Sequence, residues 1–376
     1  MTALLRNPKI LSFARYAILF LVFTISAGNV TNSFLLKWGF RDKGDVDSYL
    51  QTYSLTGMMN GTAPRPYVYR STYVQLIKKG VDKIDQDVQA KLFKSITRYD
   101  SLRNSYFNGI PMQYWTPSVA ITYHITYLLL YWTFFISLIA LFKIARYTGL
   151  SYSKSLLSVV AFCFIYPLTF QQGGYCYDFF ELLGLVSTAY LTLKRKFYIS
   201  TFLVFIFAFN KETFFLVPIA LYFLHDDKAG LKTKISLLLT QMVLALSARL
   251  YIMSGYEGNA GGGVEWHLWD NFVFWIDPRS YLGFYNLVGK GVFTPALENP
   301  IIAIPLLIFY TYAWGKSENR YKNYFLAALI PVLCLSIPFG FRDEFRTLSI
   351  AFPAAFLIAL SGVSDFNKIF AVDENG

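Results

Sequence analysis

The stretch YAILFLVFTISAGNVTNSFLL, Tyr16 to Leu36, decides the kind of protein this is. It offers about twenty mostly apolar residues, the length an α-helix needs to cross a hydrocarbon core of about 30 Å. Arg6, Lys9 and Arg15 precede it. A secretory signal core is shorter, about 7 to 15 residues, so the segment reads as a retained membrane anchor. The whole chain has the matching composition. Hydrophobic residues are 55% and charged residues 15% of its 376 positions, against about 25% charge in an ordinary soluble domain.

Further apolar blocks, separated by short charged punctuation, mark further spans. They lie near Ser118 to Leu141, Lys154 to Gln171, Asp178 to Leu193, Phe197 to Asn210, Phe214 to Leu224, Ile235 to Ser254, Pro300 to Trp314, Asn323 to Phe339 and Leu348 to Ser361. The expected fold is all-α, a polytopic transmembrane helical bundle of about ten spans. It forms a single integral membrane domain over 1–376, with external loops over 37–117 and 255–299. Lysine and arginine cluster in alternate short loops: Lys143, Arg146 and Lys154; Lys194 to Lys196; Lys228, Lys232 and Lys234; Lys316, Arg320 and Lys322. The positive-inside rule puts those loops and both termini on the inner face.

Two spans are short. The segments from Phe197 to Leu224 would each rise only about 20 Å. They read as a helical hairpin whose tip, Asn210-Lys211-Glu212-Thr213, is recessed below the external surface. Irregular backbone at that depth is tolerated only where protein buries it or it lines a cavity. One continuous helix is the alternative, and it would carry a Lys-Glu pair at its middle. In the first external loop Val81, Ile84, Val88, Leu92 and Ile96 recur at helical spacing. They predict one amphipathic helix in the membrane interface, with Tyr73 to Ile77 beginning another.

A net charge of +11 raises the question of nucleic acid. Much of that charge falls in the inner loops, where it sets topology and meets anionic lipid. The expected partners are therefore membrane lipids and not nucleic acid. Cys163, Cys176 and Cys334, and the three histidines, lack metal-ligand spacing.

The chemistry-bearing residues gather on the external side. Gly44-Asp45-Val46-Asp47-Ser48-Tyr49 follows the first span, and Pro64-Arg65-Pro66-Tyr67-Val68-Tyr69-Arg70 comes soon after. Asp45 and Asp47 are the candidate catalytic acids, because a carboxylate can accept the proton of an attacking hydroxyl. If the loop is extended they share a face and could hold a divalent cation together; a turn after Gly44 would separate them. No metal is indicated elsewhere. Arg65, Arg70, Lys211, Arg342 and Arg346, with Tyr69 and Glu212, are the candidate phosphate-binding set, since guanidinium forks match phosphate oxygens and lysine adds a point charge. Glu181 and Arg249 fall within spans, where a charge costs about 2.5 to 3.5 kcal/mol, so they should face a cavity or each other. Trp266 and Trp269 could stack on sugar faces, although tryptophans at span boundaries ordinarily form the interfacial belt.

This arrangement resembles the GT-C superfamily of integral membrane glycosyltransferases. The likeness lies in a short inner N-terminus, one span, a long external loop with an acidic motif near its start, and many further spans. Asp45-Val46-Asp47 with Tyr49 looks like that family's acidic motif. Arg65 to Arg70 and Asn210 to Thr213 resemble segments of small bacterial membrane proteins from polysaccharide loci. The resemblance implies transfer of a sugar from a polyprenyl-phosphate or pyrophosphate carrier to a glycan or lipid-linked acceptor, with Asp45 or Asp47 as base or metal ligand. It implies a site on the external face of a bacterial inner membrane. A polysaccharide polymerase or ligase would use the same external arginines. A transporter or flippase of a lipid-linked or anionic substrate would explain the short spans and the intramembrane charges, and a non-catalytic assembly subunit would need only the spans.

Overall fold

The structure is a computed structural model that describes residues 8–42, 48–99, 101–171, 173–226, 228–262, 264–286 and 293–364. The candidate acids Asp45 and Asp47 lie outside the described residues. Among the described residues the regular structure is helical apart from one short antiparallel ribbon.

The first helix, α1 (Pro8–Trp38), leads into a group of short helices: α2 (Leu55–Met59), α3 (Thr72–Asp82), α4 (Gln86–Thr97) and α5 (Ser101–Tyr106). The bundle continues with α6 (Pro117–Tyr147), α7 (Tyr152–Ile165), α8 (Cys176–Leu193), α9 (Phe197–Ala208), α10 (Val217–Leu224) and α11 (Leu231–Ser254). After α12 (Leu268–Ile276) comes the ribbon of β1 (Phe284–Asn286) and β2 (Phe293–Pro295), with Tyr285 opposite Thr294. The last helices are α13 (Pro300–Lys316), α14 (Asn319–Phe339) and α15 (Phe352–Ser364).

Each of the ten expected apolar segments is helical. Among the described residues six helices are long and apolar enough to cross a membrane: Ile10–Trp38, Pro117–Tyr147, Tyr152–Phe170, Leu231–Ser254, Asn319–Phe339 and Phe345–Ser364. Phe197–Ala208 and Glu212–Leu224 are apolar but shorter. The expected hairpin is present. A turn at Phe209 and Asn210 ends α9, and a 3-10 segment from Glu212 to Leu216 leads into α10.

Local chemistry sets the helix starts. Thr116 accepts the Val119 N–H at the head of α6, where Pro117 supplies a preset φ. Ser151 does the same for the Lys154 N–H of α7. Asp85 accepts the N–H groups of Asp87 and Val88. That cap corrects one expectation: the amphipathic stretch is two helices, with Val81 in the last turn of α3, Ile84 in the connection and Val88 and Leu92 on α4. Periodicity carried across the break because both helices lie against α6. Val88 and Leu92 remain exposed.

The core centres on α6 and α8, which pack along each other, with α1 against α6 and α9 against α8. Aromatic rings fill it: Phe134, Tyr166, Phe170 and Phe179 interlock with ring centres 4.8 to 6.3 Å apart. On the far side α14 packs on α10, and α13 on α15. The ends of α8, α14 and α15 come together around the 3-10 segment from Phe345 to Ala351.

Candidate functional site

Where these ends meet, charged side chains are buried in one connected set. Asp178, in the first turn of α8, holds the backbone N–H of Tyr175 at 2.9 Å, which fixes its carboxylate. Arg346 reaches it from 168 residues further along the chain, Nη1 to Oδ1 at 3.2 Å, and also binds Glu344. Lys211, at the hairpin tip, sits 2.7 Å from Glu181 Oε2 and 3.7 Å from Asp178 Oδ1. Lys211 is 5% exposed and Glu181 fully buried, so removing either charge would leave the other uncompensated away from water. Asn210 Nδ2 donates to the Tyr177 carbonyl at 2.9 Å and ties the tip to α8.

A second pair adjoins this one. Arg70 forks onto Glu212, with Nε to Oε2 at 2.9 Å, and donates from Nη1 to the Tyr177 hydroxyl at 2.6 Å. Its fork is fully used, in the planar bidentate geometry that guanidinium favours. Tyrosine rings separate the cations. The guanidinium carbons of Arg41 and Arg346 each lie 4.7 Å from the centre of the Tyr175 ring, and Tyr175 stacks on Tyr177 at 5.0 Å. Such cation–ring contacts hold positive charge in place without neutralising it. Gly173 makes room: a Cβ there would stand 2.3 Å from Glu344 Oε1.

Of the five expected cations, the structure brings Arg70, Lys211 and Arg346 into this set, each paired with a carboxylate. Arg65 and Arg342 are placed differently. The Arg65 backbone N–H donates to the Ala260 carbonyl at 2.8 Å, and its Nε is enclosed with no hydrogen-bond partner among the described residues. Arg342 sits at φ 48°, in the left-handed region, with its N–H held by Asn271 Oδ1 at 2.5 Å. Tyr69 is buried beneath Arg249, whose guanidinium carbon lies 4.5 Å from the ring centre. Tyr69 is thus a packing residue. Glu181 and Arg249 do not face each other, because Lys211 and Tyr69 are nearer to them. Trp266 packs edge-on against Phe339 and Trp269 stacks on Phe272, both largely exposed.

Beside the charged set lies an apolar groove of about 420 Å³ between α12 and α14, lined by Phe272, Trp275, Leu333, Ile337 and Phe345 among others. Arg342 and Glu344 are its charged members at the connection. Glu344 therefore belongs to both features: it lines the groove and it binds Arg346.

Sequence reasoning missed Asp42. Its Oδ1 accepts hydrogen bonds from Tyr123 at 2.6 Å and Tyr49 at 2.8 Å, and Thr56 Oγ1 lies 2.7 Å from the Tyr123 oxygen. Its Oδ2 is enclosed with no hydrogen-bond partner among the described residues. Burial pushes the Asp42 carboxyl up to about 7, although the two tyrosine hydrogen bonds favour its ionised form. Gly109 packs so closely that a Cβ would stand 2.0 Å from the Asp42 carbonyl oxygen. Tyr175, Tyr177 and Arg41 were missed as well. The adjacency of Arg41 and Asp42 to the Gly44–Tyr49 motif, and the Tyr175-Cys176-Tyr177-Asp178 run at the head of a span, were the available signals.

These features define a helical membrane protein with a buried charge cluster beside an apolar groove. Comparison with protein-family models, with curated proteins and with solved structures finds no match in any of the three.

Proposed function

We propose that this chain is an integral membrane glycosyltransferase that takes a sugar from a polyprenyl-phosphate or pyrophosphate donor and transfers it to a glycan or lipid-linked acceptor. In this reading the bundle has about ten spans, both termini inside, and its site on the external face of a bacterial inner membrane, in the manner of GT-C enzymes. The observation that carries the reading is Glu344, shared between the apolar groove and the Arg346 cluster. An isoprenoid chain needs an apolar channel, and its phosphate needs fixed cations at the end of that channel. Glu344 and Glu212 are the partly exposed partners of Arg346 and Arg70. An arriving phosphate displaces them and takes the same forks.

The cations are preorganised by their carboxylates before substrate binds. They can then stabilise the charge that gathers on the departing phosphate without reorganising. Asp45 or Asp47 is the base for the acceptor hydroxyl, and Asp42, just ahead of them in sequence, is a further candidate. A polymerase or ligase differs from this only in its acceptor.

Native mass spectrometry of the protein with polyprenyl phosphates of different chain length tests the groove. Long-chain carriers should bind, and Ile337→Trp, which fills the groove, should weaken them while leaving a short-chain analogue unaffected. Equal binding of both by both proteins would remove the support. One observation favours a second reading: Lys211, Glu181 and Asp178 are buried among short helices, as in carriers built from broken helices. Movement of a lipid-linked glycan across vesicles without sugar transfer would select it.

A further inference from the structure

The helix α12 carries its side chains the wrong way round for a helix in water. Its one buried residue is polar, Asn271 at 4% exposure, whereas Leu268, Trp269, Phe272, Val273 and Ile276 are 40 to 72% exposed. At about 100° per residue those five share one side of the helix, and the exposed Asp270 falls outside their arc. Asn271 is turned inward to serve the end of α14. Its Nδ2 donates to the carbonyls of Ile337 at 2.8 Å and Gly340 at 2.7 Å, and its Oδ1 accepts the Arg342 N–H at 2.5 Å. The His267 N–H takes the Pro338 carbonyl at 2.8 Å. Ile337 and Pro338 are among the carbonyls that a helix leaves without partners at its C-terminal end. Water serves such groups at a solvated helix end. Here protein serves them, as a helix end bordering hydrocarbon requires.

What covers the exposed face follows from the surface it continues. α14 is long and apolar enough to span a membrane, and its own exposed side chains, Ile330, Leu333 and Ile337, lead up to the end that α12 clasps. Leu333 and Ile337 share the apolar groove with Leu268, Phe272 and Ile276, and Trp266 meets Phe339 edge-on with ring centres 5.5 Å apart. The outer side of the span thus runs onto α12 without a polar break. Apart from the Trp269 indole N–H, the five-residue face offers no hydrogen-bonding group, whereas protein interfaces carry them at regular intervals. We propose that α12 lies in the membrane interface at the end of α14, with Leu268, Trp269, Phe272, Val273 and Ile276 among lipid acyl chains and Asp270 toward water, as interfacial helices are arranged. Part of the stretch 255–299, expected as an external loop, is then a lipid-bound helix and the lipid-side wall of the groove. Trp269 meets lipid, where a sugar contact had been expected. The placement does not depend on sugar transfer.

Spin labels on the whole protein in nanodiscs test this. The variants are Trp269→Cys, Val273→Cys, Ile276→Cys and Asp270→Cys, each made with Cys334→Ala, since Cys163 and Cys176 are buried. Collisions are measured with oxygen, which concentrates among acyl chains, and with a neutral nickel chelate, which stays in water. Labels at 269, 273 and 276 should meet oxygen more often than nickel, and the label at 270 should show the reverse order. Nickel collisions at 269, 273 and 276 equal to those at 270 would put the face in water and overturn the proposal. Exclusion of both reagents from the three positions would overturn it as well, because a second copy or another protein segment would then cover the face. If the cysteine variants fail to fold, photolabelling of the native chain with a diazirine confined to the hydrocarbon still decides. Adducts within 268–276 support the immersed face, and their absence there overturns it.

Discussion

Arg346 and Asp178 meet at 3.2 Å across 168 residues of sequence, and both are buried. This contact joins the connection ahead of α15 to the start of α8. It fixes the carboxylate that Lys211 also faces. The charged cluster is therefore a single unit, and damage at one member should spread to the others.

Asp178→Asn should be strongly destabilising. The variant leaves Arg346 and Lys211 without this buried anion, and breaking such a pair from one side costs about 3 to 5 kcal/mol. Thermal unfolding in detergent should show a large drop in midpoint. A near-native midpoint would mean that Glu344 and Glu181 suffice to hold the two cations.

Arg70→Lys should not behave as a conservative change. Arg70 uses Nε and both Nη groups on Glu212 and Tyr177, and an ammonium cannot reproduce that fork. Polyprenyl-phosphate affinity should fall about tenfold or more, in line with the loss of one charged hydrogen bond of about 1.5 to 3 kcal/mol. Glu212→Gln should act in the opposite direction by weakening the competitor for Arg70. Isothermal titration with both variants checks the pair of signs together.

Asp42 gives a pH prediction. Its folded value is raised to about 7 from 3.8, so its stabilising contribution is complete below about pH 4 and is lost as pH rises through about 7. Asp42→Asn should flatten that part of the stability profile and cost little at pH 8. Asp42→Ala should cost about 1 to 3 kcal/mol at either pH, because the Tyr49 and Tyr123 hydroxyls lose their buried acceptor. Unfolding midpoints of the two variants at pH 5 and 8 separate these effects.

Gly109→Ala tests the wall behind Asp42. The added methyl would press on the Asp42 carbonyl oxygen, and overpacking of this kind costs about 1 to 3 kcal/mol. A lowered unfolding midpoint with an altered Asp42 pH profile is expected, whereas unchanged values would show that the backbone there yields freely.

Much of the architecture was legible because it depends on local pattern. The Tyr16–Leu36 run, the short hairpin around Asn210-Lys211-Glu212-Thr213 and the three cations Arg70, Lys211 and Arg346 could be picked out from hydropathy and charge alone. The break between α3 and α4 was also there to read, in Asp85 ahead of Asp87 and Val88, but apolar periodicity masked it. The pairing pattern was not legible. Which carboxylate meets Arg346, or which tyrosines close over Asp42, depends on contacts between residues as far apart as Asp42 and Tyr123. The pairing of Arg70 with Glu212, Lys211 with Glu181 and Arg346 with Asp178 is therefore a property of the fold that residue type and spacing do not assign.

The most direct test of the proposed activity is transfer of labelled sugar from a polyprenyl-phosphate donor by the purified protein in nanodiscs, run beside the Asp45→Asn, Asp47→Asn double variant. The account predicts transfer by the native chain and its loss in a double variant that unfolds at the same temperature. Undiminished transfer by the double variant would contradict the assignment of the base, and no transfer from any polyprenyl-linked donor would contradict the enzyme itself.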